Sequence, residues 1–169
     1  MAGKTKKTAG GSEEPSGYRL VAGNRKAAHL YHLEDRLEAG VALLGTEVKA
    51  LRGGKASIME AFGRMRGGEL WLFNMDIPAY EMRGYATHEP KRPRKLLVHK
   101  RELRRIQRAL VERGYTLVPL SLYFNHRGIV KTQIALARGK KLFDRREDVK
   151  RRDARRDVDR ELARRRKKR

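Results

Sequence analysis

The sequence predicts a mainly β domain with flanking helices, an α+β arrangement in which short antiparallel strands form a small barrel. Three observations predict it. Two pairs of apolar segments are each joined by a tight-turn signal, Gly67-Gly68 in one and Asn125-His126-Arg127-Gly128 in the other. A single segment, 100–114, carries a clean helical stripe. Long apolar runs are scarce, and five or six short strands with one or two helices suggest a small antiparallel barrel. A two-sheet sandwich fits the same periodicity.

The elements follow in order. AHLYHLE (28–34) sets Leu30, His32 and Glu34 against His29, Tyr31 and Leu33, the alternation of a strand. In 39–54 the first half, Val41 to Leu44, suits a strand. The second half suits a short helix with Val48 and Leu51 three apart, stopped by Gly53-Gly54. SIMEAFGRM (57–65) and ELWLFNMDI (69–77) flank Gly67-Gly68 as a hairpin, with Phe62 assigned to the core. Residues 77–94 hold three prolines and no periodicity, the mark of a long loop. In the 100–114 helix, Leu103, Ile106 and Leu110 share one stripe and Gly114 is the stop, while Arg101, Arg104, Arg105 and Arg108 take other faces. The last two strands are 115–124 and 128–138. Pro119 cannot donate to a ladder, so the first of these lies at an edge or carries a bulge.

Composition divides the chain of 169 residues into three. Residues 1–20 form a leader rich in Gly, Ser, Thr and Lys, expected to be flexible. Residues 21–138 hold nearly all the large apolar side chains and are expected to be the barrel. Residues 139–169 are a basic tail whose large apolar groups are Leu142, Phe143, Val149, Val158 and Leu162. Many of its acids sit three or four residues from Arg or Lys, as Asp148 does from Arg151. Each such pair adds a few tenths of a kcal/mol to a helix, which stays marginal without a packed face. The tail is expected to be disordered alone and helical against a polyanion; a permanently disordered tether is the alternative.

The formal charge of +22 is the strongest global constraint. Self-repulsion of that size is tolerated when the partner is a polyanion, and nucleic acid fits better than a membrane because the cations are not confined to one amphipathic helix. Among barrels that bind nucleic acid, the oligonucleotide-binding (OB) type is the commonest. The absence of cysteine excludes disulfides, zinc thiolates and cysteine nucleophiles. No apolar stretch approaches the roughly 20 residues of a membrane span, and the N-terminus has no apolar signal core, so a cytoplasmic protein is expected.

Catalytic signatures fail one by one. GGKAS (53–57) lacks the preceding glycine and the Ser or Thr after Lys55 that a phosphate loop needs. His29 and His32, read as strand residues at odd spacing, face opposite ways and cannot share a metal. HExxH and GxSxG do not occur. Glu34, Asp35 and Glu38 beside Arg36 read as a surface ion-pair group. No enzyme, metal or cofactor is expected. The informative segment is EPKRPRKLLVHKREL, which packs six Lys and Arg between Lys91 and Arg101 around Leu96, Leu97 and Val98. Ordered cations beside apolar and histidine side chains can position phosphates and stack on bases.

Six stretches taken together are specific: NRKA (24–27), EAGVALLGTEVKALRGGKA (38–56), NMDIPAYE (74–81), RPRKLLVHKREL (92–103), GYTLVPLSLYF (114–124) and IALARGKKLFDRRED (134–148). In this order and spacing they resemble the SsrA-binding protein family (small protein B), the partner of transfer-messenger RNA in bacterial trans-translation, over nearly everything from Asn24 onward. The resemblance implies an OB-type barrel and an RNA-binding adaptor. Such a protein binds the tRNA-like domain of transfer-messenger RNA and delivers it to stalled ribosomes, where the nascent chain is tagged for degradation. It implies as RNA-binding positions Asn24, Arg25 and Lys26, Glu38 before Ala-Gly, and Arg94, Lys95, Leu97 and His99 in the Arg-Lys-Leu-Leu segment. It implies a tail motif for the decoding centre and empty mRNA channel, against 16S rRNA: Gly139, Lys140 and Lys141, then Phe143, then Asp144, Arg145 and Arg146. Arg145 stands where lysine is common, and Phe143 where histidine or another ring is common. A ring there would stack on bases, an interaction worth about 1–3 kcal/mol. Glu60-Ala61-Phe62 departs from the family's acidic-Ser/Gly-aromatic pattern. A monomer is expected. The alternative function is a general ribosomal or initiation-type OB protein that binds ribosomal RNA.

Overall fold

The computed structural model describes residues 18–79, 88–112 and 114–141, and in the C-terminal segment 143, 144, 147, 156 and 158–160. The elements are β1 (Arg19–Gly23), α1 (Ala27–Leu30), β2 (Tyr31–Val41), α2 (Gly45–Arg52), β3 (Phe62–Arg66), β4 (Glu69–Phe73), β5 (Arg94–Leu97), α3 (Lys100–Glu112), β6 (Thr116–Phe124) and β7 (Val130–Gly139). All strands join one antiparallel sheet in the order β1-β6-β3-β4-β5-β2-β7, and β7 pairs back with β6. The strands from β6 round to β7 therefore close on themselves, with β1 added outside the ring on β6. This closure decides for a barrel over a sandwich.

Alternation builds the interior. Leu70 and Leu72 of β4, Leu96 of β5, Leu117 and Leu122 of β6 and Ile134 of β7 are all buried. Met75, Ile77 and Ile58 join them from the segments around the β3–β4 hairpin. The ring shuts where β3 meets β6, at the pair Gly63–Leu117. A Cβ on Gly63 would stand 2.4 Å from Leu117 Cδ2, so only glycine allows this approach. Gly67 and Gly68 turn the hairpin, both at positive φ, as their sequence signature predicts. The β3 strand is shorter than the 57–65 segment, starting only at Phe62.

The α3 stripe is as expected. Ile106 is fully buried, and Leu103, Ala109 and Leu110 pack beside it on the core. Gly114 follows at φ +61. The β6–β7 hairpin also matches, and the extra residue forced by Pro119 appears as a register shift between Pro119 and Ser121.

Four expectations are corrected. Residues 28–30 are helical, not strand. Asn24 Oδ1 accepts the Ala27 N–H at 3.1 Å and fixes the single turn of α1, and the strand begins only at Tyr31. His29 therefore does not share a strand with His32. The strand expected at Val41 to Leu44 instead ends at Val41, the last residue of β2, and α2 starts at Gly45. Arg19 and Leu20, assigned to the leader, already belong to β1. Phe62 is not core: it is 37% exposed and stacks on Phe73 at 5.6 Å between ring centroids.

The described residues beyond Lys141, including Phe143, Asp144 and Glu147, are helical. The Lys141 N–H donates to Asp144 Oδ2 at 3.2 Å, the reach-back half of a capping box. The same device opens α2, where the Leu44 N–H donates to Glu47 at 2.7 Å, and α3, where the His99 N–H donates to Glu102 at 3.0 Å.

Candidate nucleic-acid interface

One cleft of about 660 Å³ gathers side chains from β2, β4, β5, α3 and β7. Glu38, Lys95, Leu97 and His99, named separately from sequence, all line it. They converge because β5 pairs with both β4 and β2, and because α3 begins three residues after Leu97.

Glu38 points outward from β2, between two residues that the sequence analysis did not single out. The Tyr123 hydroxyl donates to Glu38 Oε2, and Lys131 Nζ donates to Glu38 Oε1 at 2.8 Å. Chiefly through the Lys131 hydrogen bond, then the Tyr123 one, the carboxyl is held below its ordinary value and is an anion at neutral pH. Burial, followed by the Glu38 contact, pushes the Tyr123 hydroxyl up, so it stays a donor. Tyr18 packs edge-on against the Tyr123 ring at 5.2 Å. A carboxylate so held can accept from base or ribose donors while Lys131 meets phosphate.

Leu97 is 52% exposed, which is unusual for a leucine on a strand and fits contact with a flat apolar surface such as a base. Its partner across the ladder is Gly40, where a Cβ would lie 3.3 Å from Leu97 Cβ. His99 is exposed at the start of α3, its ring free of the capping duty that its backbone N–H performs. Lys95 is half-exposed and ion-paired with Glu69, a second acid of the cleft. Because both groups are open to water, a phosphate can displace the carboxylate at little cost.

Arg94 is corrected. It was expected to contact phosphate, yet its side chain is wholly buried. It faces inward with Leu96, as the period of two requires, and donates to Glu47 and to the carbonyls of Met75, Arg92 and Pro90. Arg92 binds the same carboxylate through Nε at 2.8 Å and Nη2 at 2.6 Å. Glu47 thus anchors β5 and the chain leading into it to α2. Burial acts to raise the Glu47 carboxyl, and the hydrogen bonds from Arg92 and Leu44 with the charges of Arg94 and Arg92 outweigh it, so it titrates below its ordinary value.

Asn24 is corrected too. It is buried, with Oδ1 on Ala27 and its backbone N–H on Leu120 O at 2.8 Å, so its side chain is engaged in shaping α1. Arg25 and Lys26 next to it are exposed. Glu34, Asp35 and Glu38 do not pair with Arg36: they meet Tyr115, Arg105 and Lys131 respectively.

At the tail, Gly139 completes β7 and Lys140 is docked, its backbone N–H on Leu30 O at 3.0 Å and its ammonium on Ala28 O at 2.7 Å. Lys141 is exposed, Asp144 lies 3.5 Å from His32, and Phe143 is 67% exposed. Arg145 and Arg146 lie outside the described residues. Among the described residues no group of His, Asp and Glu is arranged to hold a metal, and no helix is long and apolar enough to cross a membrane.

A closed antiparallel barrel with a cleft where Lys95 and Lys131 meet Glu69 and Glu38, an exposed leucine and histidine on its wall and a basic extension defines a nucleic-acid-binding barrel protein. Comparison with known proteins makes the class particular. Residues 21–164 match the family described as SmpB protein, and the chain belongs to that family. An SsrA-binding protein of Thermobifida fusca is 48% identical over 98% of this chain and 100% of its own. That of Desulforamulus reducens is 50% identical over 86% of this chain and 91% of its own. A chain from a solved structure described as "tmRNA-SmpB: a journey to the center of the bacterial ribosome" superposes with a TM-score of 0.60 at 51% identity. The match covers 71% of this chain and 84% of that one.

Proposed function

We propose that this protein binds the tRNA-like domain of transfer-messenger RNA through the Glu38–Leu97–His99 cleft and carries that RNA to ribosomes stalled without a usable stop codon. It acts in the cytoplasm as a monomeric adaptor, catalysing no reaction and needing no cofactor. The single observation that supports this most is the convergence of those three residues, with Lys95, on one cleft in a chain of the SmpB family. Arg25 and Lys26 add phosphate contacts. The tail, from Lys141 onward, enters the empty mRNA channel and becomes ordered along its length there, with Phe143 stacking on decoding-centre bases of 16S rRNA and Arg145 and Arg146 on phosphate.

The test is affinity purification of the tagged chain from its own cells followed by sequencing of the bound RNA. Transfer-messenger RNA is expected to dominate, and a His99→Ala chain is expected to lose that enrichment while remaining folded by circular dichroism. Recovery of bulk ribosomal RNA without this enrichment would overturn the reading.

A further inference from the structure

The outer face of the β3–β4–β5 sheet carries aromatic and basic side chains in register, and the cleft does not account for them. Directly paired residues of antiparallel strands point to the same side. The pairs are Phe62 with Phe73, Arg64 with Trp71 and Trp71 with Lys95, and Arg66 with Glu69. Their neighbours Gly63, Leu70, Leu72, Arg94 and Leu96 are buried on the opposite side, so this set faces out. Arg64 and Arg66 are exposed, Trp71 and Phe73 are half-buried, and the Phe62 and Phe73 rings lie nearly parallel, 16° apart. A ring pair across two strands adds at most about 1 kcal/mol to the sheet, and Phe62 stays 37% exposed there, which costs solubility.

We propose that this face is a second RNA site, a platform on which unpaired bases stack while Arg64 and Arg66 hold the flanking phosphates. Rings with open faces accept any base, and cations spaced along the same strand suit a single-stranded backbone. Charge complementarity favours this occupant: among the paired strand residues of this face, Arg64, Arg66 and Lys95 stand against one acid, Glu69. The face is continuous with the cleft, since Glu69 and Lys95 border both. One bound RNA can thus lay a folded part in the cleft and a single-stranded part across the sheet.

Trp71 is the chain's sole tryptophan, so its fluorescence reports this face alone. The full-length chain is titrated with an unstructured oligouridylate of about ten nucleotides, within the usual reach of a barrel surface. Saturable quenching is expected. Inorganic polyphosphate, with charge but no bases, is expected to bind without it. Phe62→Leu keeps an apolar side chain and removes the ring, and should weaken the oligouridylate about tenfold. Arg64→Ser, at an exposed position, should weaken it severalfold and leave affinity for the folded tRNA-like RNA unchanged. Absent quenching, equal quenching by polyphosphate, unaltered affinity of both variants, or a Phe62-dependent dimer by light scattering would each overturn the proposal. Loss of folded-RNA binding with the quench retained would strike the cleft assignment alone.

Discussion

Arg94 Nε and Glu47 Oε1 lie 2.9 Å apart, and neither side chain is reached by solvent. A guanidinium and a carboxylate so placed hold the strand that carries Lys95 and Leu97 against the helix that carries Glu47.

Breaking such a pair from one side leaves a charge uncompensated in the interior, which costs about 3–5 kcal/mol. Glu47→Gln is expected to destabilise the chain by roughly that amount in urea titration. Arg94→Leu removes the other partner but leaves the carboxylate held by Arg92, so a smaller loss is expected.

The same carboxyl gives the acid response a direction. Its folded value lies below the unfolded one of about 4.5, so the unfolded chain binds more protons there. The stabilisation is complete above that value and fades as pH falls through the lower folded value. Melting temperatures measured from neutral pH downward should drop more steeply for the parent chain than for Glu47→Gln.

Gly40 sets where Leu97 sits. Gly40→Ala puts a methyl 3.3 Å from Leu97 Cβ and should tilt the leucine out of the cleft. A fall in affinity for the tRNA-like RNA of several-fold is expected, with a stability loss of about 1 kcal/mol or less. An RNA affinity unchanged by this substitution would remove Leu97 from the contact set.

Tyr123→Phe deletes one donor to Glu38 and retains the ring that Tyr18 packs on. A hydrogen bond of this kind is worth about 0.5–1.5 kcal/mol, so RNA should bind a few-fold more weakly. Glu38→Ala should lose more, and the double variant no more than Glu38→Ala alone. All these affinities should fall steeply with salt, by about one counterion for each phosphate neutralised.

Because Gly139 is the last residue of β7 and Lys140 is docked on α1, a tail deletion that spares the barrel begins after Lys141. A chain ending there should bind the RNA at near-parent affinity and fail to support tagging on stalled ribosomes in a reconstituted translation assay. Phe143→Ala should lower tagging more than RNA affinity.

Much of this was legible in the residues. The hairpins at Gly67-Gly68 and Asn125–Gly128 and the α3 stripe depend on local chemistry, and local chemistry is what a sequence displays. Arg94 was misread because a run of charge looks like a solvated surface. The alternation that exposes Lys95 and Leu97 had already turned Arg94 inward beside Leu96. Glu47 gave no signal, since an acid in the first turn of a helix is ordinary and its partners lie 45 and 47 residues away. Tyr123 and Lys131 needed the pairing of β7 with both β2 and β6 to bring them to Glu38. Asn24 matched a motif for its sequence neighbours, while its own side chain was spent on starting a helical turn.

Wrapping a highly cationic chain in RNA cancels the repulsion that keeps its copies apart, and crowded β-proteins then tend to fuse along open strand rims. Here the ring leaves almost no rim to fuse. Among the described strands only β1 is bonded on one side, and it is five residues long and begins at Arg19. Losing its charge to a partner therefore bares little unpaired strand backbone among the described residues.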